Sequence, residues 1–214
     1  MIVTLARLRA WLAEALGRLR ARLAEALARL RARLAEALAR RRVPLGFVFG
    51  ALALWLAQPT AATLASGTAI ALAGECLRVW ASGHLNKARE VTVSGPYRWF
   101  AHPLYVGSSI MGAGLAVASN SVAVTGLIAL YVVVTLTAAI KNEEAFLRRT
   151  FGDRYNRYRR GSANAAAESH RRFSVAQARA NREHRALVGL AVAVLLLVLK
   201  ATYNGLFWRA AGPH

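Results

Sequence analysis

Four apolar runs arrive in pairs, Val43–Ala57 with Ala61–Gly83 and Pro103–Ala118 with Val122–Ile140. Each pair is joined by a tight turn without Lys or Arg, Gln58-Pro59-Thr60 in the first and Ser119-Asn120-Ser121 in the second. Two helical hairpins in a membrane are the simplest reading of that pattern. A fifth run, Ala186–Leu199 extended by Ala201–Trp208 with Lys200 as an interruption, is also long enough to span. The expected fold is therefore all-α: a polytopic helical membrane protein of about five transmembrane helices, with a long amphipathic helix before them.

Charge is segregated in the same way. The chain is 56% hydrophobic yet carries a formal net charge of +19. Residues 1–42 hold eleven Arg against three Glu, and residues 141–185 hold twelve Lys or Arg against five acids. Basic blocks that flank apolar runs follow the positive-inside bias of membrane proteins, so nucleic acid is not expected as a partner. The bias places the N-terminus, the 84–102 loop and the 141–185 block in the cytoplasm. The turns at Pro59 and Asn120 and the C-terminus then lie outside. Cys76 is alone, which excludes an intrachain disulfide, and the Arg- and Glu-rich N-terminus does not read as a signal peptide.

Residues 8–18, 19–29 and 30–40 are three tandem copies of eleven residues, the last two identical. Eleven residues fall within about 20° of three helical turns, so equivalent positions align along a helix. Leu8, Leu12, Leu16, Leu19, Leu23, Leu27, Leu30, Leu34 and Leu38 then form one wide stripe. Each Glu precedes an Arg by four residues, as in Glu14–Arg18, Glu25–Arg29 and Glu36–Arg40, the orientation that supports a helix. One helix over residues 5–40, about 54 Å long, is expected to lie on membrane lipid or to self-associate with a second copy, and both remain open. The organisation is thus 1–42 amphipathic repeat, 43–160 membrane core, 161–185 basic cytoplasmic linker, and 186–214 final span and tail.

Within the second run, Glu75 and Arg78 are three residues apart and can face one another on a helix. They form either a structural ion pair or part of a polar cavity. The five His are scattered without ligand spacing, so no metal site is read.

From Gly95 the chain reads Gly95-Pro96-Tyr97, then His102-Pro103-Leu104-Tyr105-Val106-Gly107, a helical hairpin, Glu143-Glu144, and Phe151-Gly152 followed by Tyr155 and Tyr158. This order resembles the isoprenylcysteine carboxyl methyltransferase and phospholipid methyltransferase superfamily of integral membrane enzymes. The upstream helix with Arg78 and Ala81 is similar as well, and the resemblance covers roughly residues 70–160. It implies S-adenosylmethionine as cofactor and Tyr97, His102, Pro103, Tyr105, Gly107, Glu143 and Glu144 as its binding residues. Arg78, Arg98, Tyr155 and Tyr158 are the substrate-side candidates. One departure is Ala101, where the family carries Arg before His-Pro. Its absence weighs against a carboxylate substrate, although Arg98 lies one turn earlier.

The residue types suit such a cofactor. A carboxylate from Glu143 or Glu144 can meet an ammonium or a ribose, His102 can bond a carboxylate or ribose, and Tyr97 and Tyr105 offer hydroxyls with aromatic faces. Gly107 allows close backbone approach, and Pro103 suits the first turn of a helix. Consecutive Glu residues diverge by about 100° on a helix, so only one is expected to face the cofactor. The methyl acceptor is expected to be a lipophile or a small thiol, carboxylate or amine. Competing readings are a sterol-reductase-like enzyme using NADPH and a non-enzymatic membrane scaffold with a decayed site.

Overall fold

The computed structural model describes residues 11, 14, 16–27, 29, 42–87, 89–160 and 172–205. Among them all regular structure is helical. The chain divides into two compact units, Met1–Leu52 and Ala53–His214.

In the first unit residues 16–27 are helical, and both described repeat pairs form, Arg18–Glu14 at 3.0 Å and Arg29–Glu25 at 3.4 Å. Leu16, Leu19, Leu23 and Leu27 of the apolar stripe are exposed. The remainder of the expected 5–40 helix, including Glu36–Arg40, lies outside the described residues. Helix α1, Arg42–Leu56, follows, and its last turn from Ala53 belongs to the second unit.

The second unit is built on α2, Ala61–His84, and α3, Pro103–Ser119. Thr60 opens α2 through a capping box with Thr63, which satisfies helix-end N–H groups that would otherwise be orphaned. Pro103 opens α3, where its missing N–H costs nothing, and Asn120 closes it in the left-handed region with φ 47°. Helix α4, Val122–Arg159, starts on Ser121, whose side chain accepts from the Val124 N–H. Beyond lie the short α5, Val175–Ala180, and α6, His184–Tyr203.

Small residues bring α2 and α3 into backbone contact. A Cβ added at Gly67 would strike the backbone of Gly114 and Ala118, and one at Gly114 would strike Gly67 and Ala71. Nearer the other end, a Cβ on Gly74 would lie 2.6 Å from the Gly107 carbonyl and 2.6 Å from the Met111 nitrogen. Helices in lipid associate through such close packing, because apolar side chains gain little by leaving lipid tails for one another.

The tips of the two hairpins are bonded together. The Gln58 N–H donates to the Ser119 carbonyl at 2.8 Å, and the Asn120 amide donates to the Gln58 carbonyl at 3.1 Å. Ala57, Leu64 and Ala118 pack there with Leu197 and Ala201 of α6. At the opposite end Glu183, just before α6, reaches Arg78 of α2 at 2.7 Å. Helix α6 therefore runs antiparallel to α2.

Against the about five spans expected, two helices among the described residues, α4 and α6, are long and apolar enough to cross a membrane; α3 and the apolar part of α1 are shorter, and α2, which carries Glu75 and Arg78, does not qualify. Leu130, Val133, Val134, Leu195, Leu196 and Leu199 are exposed, as expected of helices whose outer solvent is lipid. Two other features differ from the sequence reading. Helix α4 does not stop with its apolar run at Ile140 but continues to Arg159, bending at Gly152, whose φ of 47° and ψ of −118° suit glycine alone. The segment read as a linker is, over residues 172–185, fixed to the end of α2: Ser174 N–H donates to the Gly83 carbonyl, Gln177 to Leu85, and Asn181 to both Ser82 and Leu85. Those donors satisfy carbonyls left unpaired at the C-terminal end of α2.

Candidate active site

The start of α3 and the charged extension of α4 meet, although about forty residues separate them. His102 occupies the N-cap position of α3, and its ring lies between the two consecutive glutamates of α4. Nδ1 stands 3.6 Å from Glu143 Oε2 and Nε2 stands 3.4 Å from Glu144 Oε1. A single imidazole thus answers both carboxylates with its two opposed nitrogens, which reconciles their divergence on the helix with a shared partner.

Their other contacts separate the two acids. Glu144 also pairs with Arg148 at 3.6 Å and Arg159 at 3.3 Å. Glu143 instead lines a cavity of about 420 Å³. More of the wall comes from Tyr97 and Ala101 before α3, Leu104 and Tyr105 in its first turn, and Asn142, Phe146, Leu147, Tyr155 and Tyr158 along α4. The loop after α2 closes it with Lys87, Glu90, Val91 and Thr92.

Local structure explains the arrangement. The bend at Gly152 turns the last part of α4 so that Tyr155 packs with Val91 and Val93, supported by Leu147, Phe151 and Tyr158. The Tyr158 hydroxyl donates to the Tyr97 carbonyl at 2.7 Å and to the Phe100 carbonyl at 3.3 Å, tying the α4 extension to the 3-10 turn Gly95–Arg98. Tyr155 is almost fully buried, yet its hydroxyl has no hydrogen-bond partner.

Electrostatics at this rim favour an ion pair. Glu143 holds the His102 pKa above its usual 6.5, with burial opposing and Glu144 assisting. Burial is the largest single influence on Glu143 and raises its pKa, but His102, Tyr105 and the charge of Lys87 together hold it below the ordinary 4.5. Burial also pushes the Tyr97 phenol well up, reinforced by Glu143, and pushes Tyr158 to about 12, reinforced by Tyr155. These phenols are neutral donors at any physiological pH.

The other expected residues fall elsewhere. Pro103 is buried at the start of α3 and positions the turn without lining the cavity. Gly107 faces α2, where a Cβ would lie 2.6 Å from Arg78 Cγ and 2.7 Å from the Gly74 carbonyl, so its smallness serves helix packing. Arg78 is held by Glu183, by Glu75 at 3.4 Å and by the Ser108 hydroxyl, as a structural ion cluster outside this cavity. Arg98 is exposed on the 3-10 turn. Lys87, Glu90, Asn142 and Phe146 line the cavity without having been singled out from sequence. The last two could have been found, since they flank Glu143 at one and three residues along the helix. Among the described residues no group of three or more His, Cys, Asp or Glu is placed to hold a metal ion.

The family model described as phospholipid methyltransferase matches residues 45–154, just over half of the chain, and contains nearly all of the cavity wall. The cobalt-zinc-cadmium resistance protein CzcN of Cupriavidus metallidurans is 33% identical over 87 residues, 40% of this chain and 39% of that protein. The chain therefore aligns with well under half of that relative's length. No solved structure matches.

Proposed function

Because the chain belongs to the phospholipid methyltransferase family, we propose that it is an S-adenosylmethionine-dependent enzyme that methylates a lipophilic or small acceptor at the membrane. The carrying observation is the cavity beside the His102–Glu143 pair, which has the volume of a small-molecule site and is lined by Glu143, Lys87 and four tyrosines. Its donor set fits the cofactor. The Glu143 carboxylate would take the ammonium or ribose, Lys87 the carboxylate, and the tyrosines would supply hydroxyls and aromatic faces. When bound, the cofactor supplies a methyl already activated by its sulfonium.

The protein's work is then alignment and exclusion of water. His102 holds Glu143 in place, and Tyr158 holds the Tyr97 turn. Val91, Leu104 and Leu147 give the cavity an apolar wall. Ala101, also on that wall, places no cation where the family has Arg, which favours an amine or thiol acceptor over a carboxylate.

The topology supports access from two sides. Both uncharged hairpin tips bond to one another at one end, and the cavity lies at the basic ends of α3 and α4. In this reading the N-terminus and the cavity are cytoplasmic, the C-terminus is extracytoplasmic, and the acceptor enters from the bilayer. Incubating the purified chain with labelled S-adenosylmethionine and a lipid extract tests the proposal. A lipid-extract species whose mass rises by one methyl supports it; complete absence of labelled product with any extract fraction counts against it.

A further inference from the structure

In the first unit every residue of the described helix 16–27 is exposed. Leu16, Leu19, Leu23 and Leu27 are each more than half exposed, so the apolar stripe has no partner within the unit. At 100° per residue these leucines span about 80°, with Arg20 about 60° from their middle on one side and Arg22 about 100° on the other. Glu14 and Glu25 lie within about 20° of the opposite pole. Both acids are held there by their own helix, Glu14 by Arg18 and Glu25 by Arg29. Arg20 and Arg22 have no acidic partner among the described residues. The charge that borders the leucines is therefore positive on both edges and uncompensated.

That charge separates the two partners open to an amphipathic repeat. A second copy seated on the leucines would set edge against edge. In a parallel pair the Arg20 edge meets the Arg22 edge of the other helix, and in an antiparallel pair each edge meets its own like, so arginine faces arginine in both. The glutamates that would relieve this repulsion lie on the far side. Nucleic acid would answer the arginines but has no apolar layer for the leucines. An anionic bilayer offers both, because arginine methylenes can lie on lipid while the guanidinium groups rise to the phosphates. The sequence carries the same arrangement through the repeat, with Arg9 and Arg31 in the place of Arg20 and Arg33 in the place of Arg22. We infer that the N-terminal repeat is a docking surface for anionic phospholipid. Its leucines enter the outer hydrocarbon, and Arg20 and Arg22 engage lipid phosphates.

Cys76 is the chain's sole cysteine, so Cys76→Ser gives a background in which one dye can be placed on the repeat. The full chain carrying Leu23→Cys, or Ala21→Cys near the opposite pole, is labelled with an environment-sensitive fluorophore and reconstituted in vesicles whose lipid tails bear a nitroxide quencher. In phosphatidylcholine with about a quarter phosphatidylglycerol, quenching at Leu23→Cys is expected to exceed that at Ala21→Cys about threefold or more, since a docked apolar face sits about 5–10 Å into the interface. With phosphatidylcholine alone that difference should shrink about twofold or more, and so should it in Arg20→Glu with Arg22→Glu. Equal quenching at the two positions, or a difference unchanged by phosphatidylglycerol, would overturn the proposal. Energy transfer between donor- and acceptor-labelled Leu23→Cys chains in place of quenching would overturn it as well and show the repeat paired with a second copy. The lipid comparison keeps the native arginines, so it decides even where the charge-reversed variant does not fold. None of these outcomes depends on methyl transfer.

Discussion

Replacing Gly67 with Ala adds one methyl group to the α2–α3 contact, and that methyl would meet the backbone of Ala118 and Gly114. Backbone cannot rotate aside as a flexible side chain does, so the helices must separate along their length. Overpacking of this kind costs about 1–3 kcal/mol, and the backbone partners put Gly67 near the upper end. Alanine recovers about 1 kcal/mol through its better helix propensity, which leaves a net loss of about 2 kcal/mol. For a chain of this size that lowers the midpoint of thermal unfolding by roughly 4–8 °C. Gly126 is the control, because a Cβ there meets nothing within 4 Å. Gly126→Ala should keep the propensity gain alone and raise the midpoint by roughly 2–4 °C. Both are read by heating the detergent-solubilised chain and following the surviving monodisperse fraction by size exclusion. A Gly67→Ala protein as stable as the parent would refute the close-packed interface.

Three further outcomes follow from the site. Glu143→Gln should weaken S-adenosylhomocysteine binding by roughly tenfold or more, the loss expected for a bond to a charged group, while Glu144→Gln, whose acid faces Arg148 and Arg159, should change it little; titration of the two variants decides. The raised pKa of His102 means its ion pair stabilises fully below the ordinary 6.5 and fades as pH rises through the higher folded value; the lowered pKa of Glu143 stabilises above 4.5 and fades as pH falls through its folded value. Thermal stability should therefore be greatest between about pH 4.5 and 6.5 and decline as pH rises through the raised His102 value, with that upper decline flattened in His102→Gln. Tyr158→Phe removes the bonds to Tyr97 and Phe100, should cost about 1 kcal/mol, and should weaken cofactor affinity severalfold by loosening the cavity wall, as paired melting and binding measurements would show.

The helices were legible because their cause is local. Long apolar runs bounded by Pro59, Pro103 and Asn120 set the ends of α2 and α3 within one or two residues. The pairing of His102 with the Glu143–Glu144 region was legible too, because two helices of similar length joined by a tight turn return to one level. What sequence could not decide was which acid faces the cavity, since that depends on Arg148 and Arg159 taking Glu144. Gly107 shows a related limit: a glycine records that something comes close, without saying whether it is a ligand or, as the structure has it here, a neighbouring helix. The run of α4 beyond Ile140 was hidden because hydropathy marks where a membrane would end, not where a helix does. Likewise Gln177, Asn181 and Glu183 looked like parts of a solvated linker, and only their long-range partners Leu85, Ser82 and Arg78 show otherwise.

The central claim is that the cavity beside His102 and Glu143 holds S-adenosylmethionine. Calorimetric titration of the full detergent-solubilised chain with S-adenosylhomocysteine, and separately with NADPH, tests it most directly. The account predicts saturable binding of S-adenosylhomocysteine at one site per chain, weakened in Glu143→Gln, and no binding of NADPH. Binding of NADPH alone, or of neither ligand by a folded chain, would contradict it.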